Sequence, residues 1–164
     1  MATFSAKGIE GLELSMQEIA EIPPEVQDNI LMAQGEVIKK HQQQEISSKG
    51  LVDKGLLKDS IRVFKKVRKG VRYVLVYPYG KHGTRNRKKV TKVYKNSKHG
   101  RTYDVGGDVK DVTNNEVGFV LEFGAPKKGI RAYQWMREAN EKAAEESDAA
   151  GLSVYDAWLK TKGL

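Results

Sequence analysis

Apolar residues in this chain repeat with two different periods, and that contrast constrains the fold more than any other feature. From residue 24 to about 46, Val26, Ile30, Ala33, Val37 and Ile38 fall on one helical face, which predicts a long amphipathic helix. Residues 132–149 repeat in the same way, with Trp135, Met136, Ala139 and Ala143 as an inner stripe. Gly151 is expected to end that helix. A last short helix is expected over 153–162, with Ser153 and Asp156 as a capping pair and Val154, Ala157 and Trp158 on one face. Between these segments the period falls to two. Residues 62–68 alternate weakly and 71–77 alternate well, with Lys69-Gly70 between them as a tight turn, so a β-hairpin is expected. Helical ends around an alternating centre predict an α+β fold: a long N-terminal helix and C-terminal helices packed on a small antiparallel sheet. At 164 residues the chain is expected to form a single domain over 1–164.

Other segments are read from shorter signals. Residues 4–10 are a candidate edge strand. Residues 11–22 carry Leu12, Met16 and Ile19 at helical spacing. Pro23-Pro24 ends that helix and opens the next, because a first helical residue needs no N–H partner. The tail of the long helix, Lys39 to Glu45, is almost wholly polar, so it is expected to project or to meet another subunit. Residues 51–60 read as a loop and helical turn with Leu56, Leu57 and Ile61 facing inward. Residues 78–112 read as irregular, with five glycines and a short strand near Val90, Val93 and Tyr94. They form a basic insertion over about 80–112, a long loop or a hairpin, and an insertion of that length is commonly functional. Thr113-Asn114-Asn115 offers an N-cap before Glu116 for a short helix that ends at Gly124, with a strand as the alternative, and 125–131 form a loop.

Charge is concentrated in the insertion and the hairpin before it. Between Arg62 and Lys110 there are 16 Lys and Arg against only Asp104 and Asp108, a local charge of +14. The remainder carries −6, which leaves the net +8. Such asymmetry points to an acidic protein surface or a nucleic acid as partner of the middle segment. Lys81, Arg85, Arg87, Lys88, Lys89 and Lys92 are the densest run, and they are the candidate contact residues, placed on an extended arm free of nearby acids.

The same sequence argues against several chemistries. Cysteine is absent, which removes disulfides, thiolate metal sites and cysteine nucleophiles. The start, Met1 to Ser5, lacks the basic and apolar regions of a signal peptide, and no apolar run approaches the ~20 residues of a membrane span. A soluble protein made in the cytoplasm is expected. The histidines are His41, His82 and His99. With Asp104 and Asp108, the last two sketch a nuclease-like site at most, because no metal-protease or ordered His/Asn/His pattern accompanies them. Glu122 reads as a buried or interface hydrogen-bonding residue. Aromatic residues interleaved with the basic ones suit single-strand stacking and a half-buried hairpin equally. No cofactor or metal is expected, nor catalysis.

Three patches carry a family resemblance. Val52-Asp53-Lys54-Gly55-Leu56-Leu57-Lys58-Asp59-Ser60-Ile61 resembles a "V-D-T-G-x-L-x-x-S-I" element. Val120-Leu121-Glu122-Phe123-Gly124-Ala125 resembles "V-E-F-G-T", and it is followed by a loop and an aromatic-bearing helix at 130–136. Gly11-Leu12-Glu13-Leu14 resembles a "G-L-E-x-L" opening. In their order along the chain they are similar to phage tail-completion proteins, the relatives of the gene-ten product of the Hong Kong 97 phage and kin of the lambda tail protein Z. Lys54 and Ala125 depart from the pattern, and the insertion is longer than a minimal member needs. The resemblance implies a non-catalytic virion protein at the neck, made in the host cytoplasm. It implies a ring of copies, expected to be a hexamer, meeting the tail terminator, tail tube, head-completion or portal proteins and, in the channel, DNA. Tail terminator or head-completion protein of the same neck is the neighbouring reading, and a basic nucleic-acid-binding module the alternative class. Asp53, Gly55, Leu57, Ser60, Glu122, Phe123 and Gly124 are then structural motif residues. Gly55 would admit a helix entry, Asp53 would cap it, Ser60 would tie helix to strand and Gly124 would make a left-handed helix exit.

Overall fold

The computed structural model describes residues 22–52, 55–86, 90–93, 102–105 and 109–163. The expected strand over 4–10 and the helix from residue 11 up to Ile22 lie outside them, as do Asp53 and Lys54. The arrangement is α+β, with a long helix before a set of antiparallel strands and helices after it.

Helix α1 spans Pro24–Ser48. The Pro23 carbonyl accepts the N–H groups of Val26 at 2.9 Å and Gln27 at 3.1 Å, which closes the first turn. Pro24 occupies the position where a missing N–H costs nothing, and Glu25 sits in the first turn, where the helix dipole favours an anion. A single turn, α2 (Leu56–Asp59), leads into strands β1 (Ile61–Arg68) and β2 (Val71–Pro78). Lys69 and Gly70 between them both have positive φ, 50° and 80°, the mirror-image turn whose twist suits a two-residue hairpin.

The insertion takes the hairpin form. Strand β3 (Lys81–Asn86) pairs antiparallel with β6 (Val109–Thr113), and β4 (Val90–Val93) with β5 (Thr102–Val105). Asn86 lies opposite Val109 and Val90 opposite Val105. Four steps forward on one strand are four steps back on the other, so both ladders share one register. A bulge between Lys81 and Gly83 ends the regular pairing. Of the two forms expected, loop or hairpin, the described residues fit the second: they make two antiparallel ladders, with Val93 in β4 and Tyr94 outside the described residues. Glycine and lysine density hid it, because the ribbon forms by pairing across some 10 to 30 residues and not by local preference.

Helix α3 (Asn114–Phe123) follows, then a 3-10 turn at Pro126–Lys128 and helix α4 (Trp135–Thr161). Helix α4 corrects two expectations. It begins at Trp135, not 132, and it runs without a break through Gly151. Ser153 and Asp156 therefore lie inside the helix and cap nothing.

Contacts gather the chain into two compact units, and the long elements contribute to both. The described part of the first takes residues 22–37, 63–75 and 143–163. Here α1 approaches the hairpin at Gly35, where an added Cβ would come within 2.5 Å of Val63 Cγ1. It approaches α4 at Gly151, where a Cβ would lie 2.9 Å from Gln34 Nε2. A glycine inside a helix costs about 1 kcal/mol relative to Ala, and here it leaves room for the Gln34 side chain. Asp28 of α1 binds Lys65 of β1 at 2.9 Å and Arg72 of β2 at 2.8 Å.

The second unit takes 38–62 and 76–142. Its core is Ile46, Leu57, Ile61 and Trp135, with Leu51, Val76, Val117, Leu121 and Met136 packed against it. Leu57 and Ile61 face inward as expected, whereas Leu56 is 43% exposed. The polar tail of α1 does not project. Gln42 and Glu45 are buried and flank Ile46, which has no exposure. Gln42 Nε2 donates to Asn140 Oδ1 at 3.0 Å, and Lys142 Nζ donates to Glu45 Oε2 at 2.6 Å. Lys49 bridges Glu45 at 3.4 Å and Glu138 at 2.8 Å. The tail's polarity serves a buried network within its own chain.

These ion pairs predict an acid limit to stability. The hydrogen bond from Lys142 leads in holding the Glu45 carboxyl below its ordinary 4.5, against the burial that would raise it. Hydrogen bonds from Lys65 and then Arg72 hold Asp28 below its ordinary 3.8. Both carboxyls bind protons more weakly folded than unfolded. Their contribution is therefore complete above the unfolded values and is lost as pH falls through the folded ones. The urea midpoint should hold steady from pH 7 to about pH 5 and fall below about 4.5. In Glu45→Gln the midpoint should be lower at pH 7 and its acid decline shallower. An unaltered acid decline in that variant would remove Glu45 from the explanation.

Candidate functional site

The two motif patches that lie within the described residues meet in the second unit. At the first, Gly55 precedes α2 with φ +73°, and its carbonyl accepts the Asp59 N–H at 2.9 Å. A Cβ there would lie 3.0 Å from Asp59 Oδ2, so a glycine entry is favoured by both backbone and space. Leu57 enters the core. Ser60 Oγ donates to the Leu57 carbonyl at 2.7 Å, while the Ser60 carbonyl accepts the Tyr79 N–H at 2.9 Å. Ser60 thus joins the end of α2 to the residue after β2.

The second patch is helix α3. Its entry is a capping box: Thr113 Oγ1 accepts the Glu116 N–H and Glu116 Oε2 accepts the Thr113 N–H, both at 3.1 Å. Glu122, 7% exposed, turns inward. Its Oε2 accepts the Met136 N–H at 2.7 Å and its Oε1 the Arg137 N–H at 3.2 Å. Those N–H groups belong to the first turn of α4, where no helical partner exists. Glu122 therefore caps α4 from a different helix and places a carboxylate at its positive end.

Gly124 follows with φ 77° and ψ 175°. This corrects the left-handed exit expected from sequence: the backbone leaves in an extended conformation open essentially to glycine alone. The Gly124 N–H still closes α3 onto Val120 O at 2.8 Å. Ala125 and Ile130 then exchange backbone hydrogen bonds, and the Tyr133 N–H returns to Leu121 O at 2.8 Å.

Besides Asn115 and Glu116 in its first turn, α3 leaves two aromatic residues outside. Phe119 and Phe123, one turn apart, stack at 4.6 Å between ring centroids and are 61% and 64% exposed. Val112, Val117, Phe119, Val120, Leu121 and Ile130, with Asn115 and Glu116 beside them, line a groove of about 700 Å3. The aromatic pair was legible as an i, i+4 spacing, but its exposure was not.

The basic candidates divide. Lys81 is exposed and pairs with Asp111 across the ribbon at 2.8 Å, which corrects the expectation that it stands without a nearby acid. An exposed pair of this kind holds little energy, between about 0 and 1 kcal/mol. Arg85 and Lys92 lie within β3 and β4 by backbone position. Arg87, Lys88 and Lys89 lie outside the described residues, as does His99.

His82 is held by a neighbour that the sequence did not suggest. Asn114 Nδ2 donates to Tyr79 O at 3.0 Å, so its Oδ1 faces His82 Nδ1 at 2.8 Å. The proton of a neutral His82 therefore sits on Nδ1. Among the described residues no group of three His, Asp or Glu is placed to hold a metal ion, and no helix is long and apolar enough to cross a membrane. Compared with protein-family models, curated proteins and solved structures, the chain matches none.

Proposed function

We propose that this chain is a structural component of a phage neck, completing the tail and joining it to the head through subunit contacts, without catalysis. One observation carries the reading most of the way: helix α3 spends its polar motif residues on the scaffold and presents its aromatic ones to the exterior. Glu122 is consumed as the cap of α4, while Phe119 and Phe123 stand exposed over an apolar groove. Exposed, contiguous apolar surface of this kind marks a site of association. The family resemblance, carried by the same helix, supplies the identity of the neighbours: copies of the chain in a ring, expected to be six, with tail-terminator, tail-tube, head-completion or portal subunits on either side. Tail terminator or head-completion protein is the adjacent assignment.

The ribbon supports a role for charge. Lys81 and Arg85 lie by backbone position in the β3–β6 ladder and Lys92 in the β4–β5 ladder. Such a ribbon suits an acidic subunit surface or DNA in the channel. Replacing Lys81, Arg85, Arg87, Lys88, Lys89 and Lys92 together with Ala is expected to leave the melting temperature nearly unchanged and to reduce head–tail joining, counted as infectious particles after mixing purified heads and tails. Unchanged joining would exclude the ribbon. The whole reading is tested by mass spectrometry of purified particles: the chain should be present in joined particles, and its absence would end the proposal.

Favouring the second class, a nucleic-acid-binding module, is the local charge of +14 in residues 62–110. That reading predicts DNA binding by the isolated chain, with a salt dependence that weakens by about 0.9 in log–log slope for each phosphate contact removed. The neck reading predicts little binding by the chain alone.

A further inference from the structure

The groove on α3 is largely apolar, and nothing among the described residues fills it. The loop at its edge is cationic. The loop that supplies Ile130 to the groove also carries Lys127, Lys128 and Arg131, all exposed. Arg131 lies over the Tyr133 ring at 4.7 Å, and neither Lys127 nor Lys128 forms an ion pair with a described residue. The acid in the groove lining, Glu116, already accepts the Thr113 N–H in the capping box. An occupant should therefore be amphipathic and acidic.

This chain contains such a segment. Residues 1–21 hold Glu10, Glu13, Glu18 and Glu21 against Lys7 alone, a net charge of −3 within a protein of net +8. Leu12, Met16 and Ile19 fall at i, i+4 and i+7, the spacing by which an apolar helix face anchors in a groove. We infer that the α3 groove receives the N-terminal segment of a second copy of this chain, with Leu12, Met16 and Ile19 entering the apolar floor and the carboxylates facing Lys127, Lys128 and Arg131. The contact is head-to-tail: segment on one copy, groove on the next. Repeated, contacts of that kind close into rings. The choice of a second copy rests on the assembly reading above; the chemistry of the groove does not.

Absence of cysteine makes a direct test clean. Full-length Met16→Cys and Phe119→Cys are mixed in equal amounts under mild oxidation, and disulfide-linked species are read by mass. The expected result is a mixed dimer in excess of either homodimer. Lys127→Glu with Lys128→Glu in the Phe119→Cys copy should abolish that excess. Glu13→Lys with Glu18→Lys in the Met16→Cys copy should restore it, a rescue that misfolding cannot mimic. Monomer alone, or only the Phe119→Cys homodimer, would overturn the inference. So would an internal bridge at monomer mass in a chain carrying both cysteines. No mixed dimer from a chain still present in joined particles overturns this contact and spares the neck reading. A mixed dimer from a chain missing from particles does the reverse.

Discussion

Gly124→Ala should lower the stability of this protein by about 3 kcal/mol or more. For a chain of this size that moves the melting temperature down by roughly 6–12 °C. Two effects act together. At φ 77° and ψ 175° an alanine is strained in its own backbone. Its Cβ would also lie 2.8 Å from Ala132 N, 3.0 Å from Ile130 O and 3.1 Å from the Arg131 carbonyl carbon. Those are main-chain atoms of the returning loop, and they cannot rotate away as a side chain can. Gly129→Ala is the control, since its φ is also positive, +69°, but nothing lies within 4 Å of its Cβ. It should cost about 1 kcal/mol. Equal losses in the two variants, measured by thermal melting in far-UV circular dichroism, would remove the close approach from the argument.

Trp135→Ala should cost about 3–5 kcal/mol. Trp135 has no exposure and anchors the core with Ile46, Leu57 and Ile61. Its Nε1 donates to the Gly118 carbonyl at 3.1 Å, and Gly118 in turn is tight against it: a Cβ there would lie 3.3 Å from Trp135 Cζ2. Trp135→Phe keeps an aromatic ring but leaves the buried carbonyl without its donor, so a loss of about 1–3 kcal/mol is expected. Urea unfolding separates the two variants. An alanine variant no less stable than the phenylalanine one would show that ring packing is not what holds this core.

These losses differ in kind from those expected on the ribbon. Gly124 and Trp135 hold α3 against the start of α4, so their replacement should reduce assembly only by unfolding the chain. The ribbon lysines and arginines should reduce joining in a protein that melts normally. Measuring melting and joining on the same variants therefore separates scaffold from contact.

Several features were legible in the residues alone. Helix α1, the hairpin turn at Lys69-Gly70 and a cap within Thr113-Asn114-Asn115 follow from period, turn chemistry and capping, all of which act within about four residues. The motif glycines were also legible as places where a side chain is unwelcome, although Gly124 leaves in a conformation that its neighbours do not announce. Tertiary structure alone decided the rest. It buried Gln42 and Glu45 through partners 98 and 97 residues away, ran α4 unbroken through Gly151, and turned Glu122 into the cap of another helix. It also paired the described strands of the basic insertion in two antiparallel ladders and left Phe119 and Phe123 uncovered. The division has one physical cause. Backbone preferences are spent locally, whereas burial and hydrogen-bond satisfaction depend on which distant atoms the fold brings alongside.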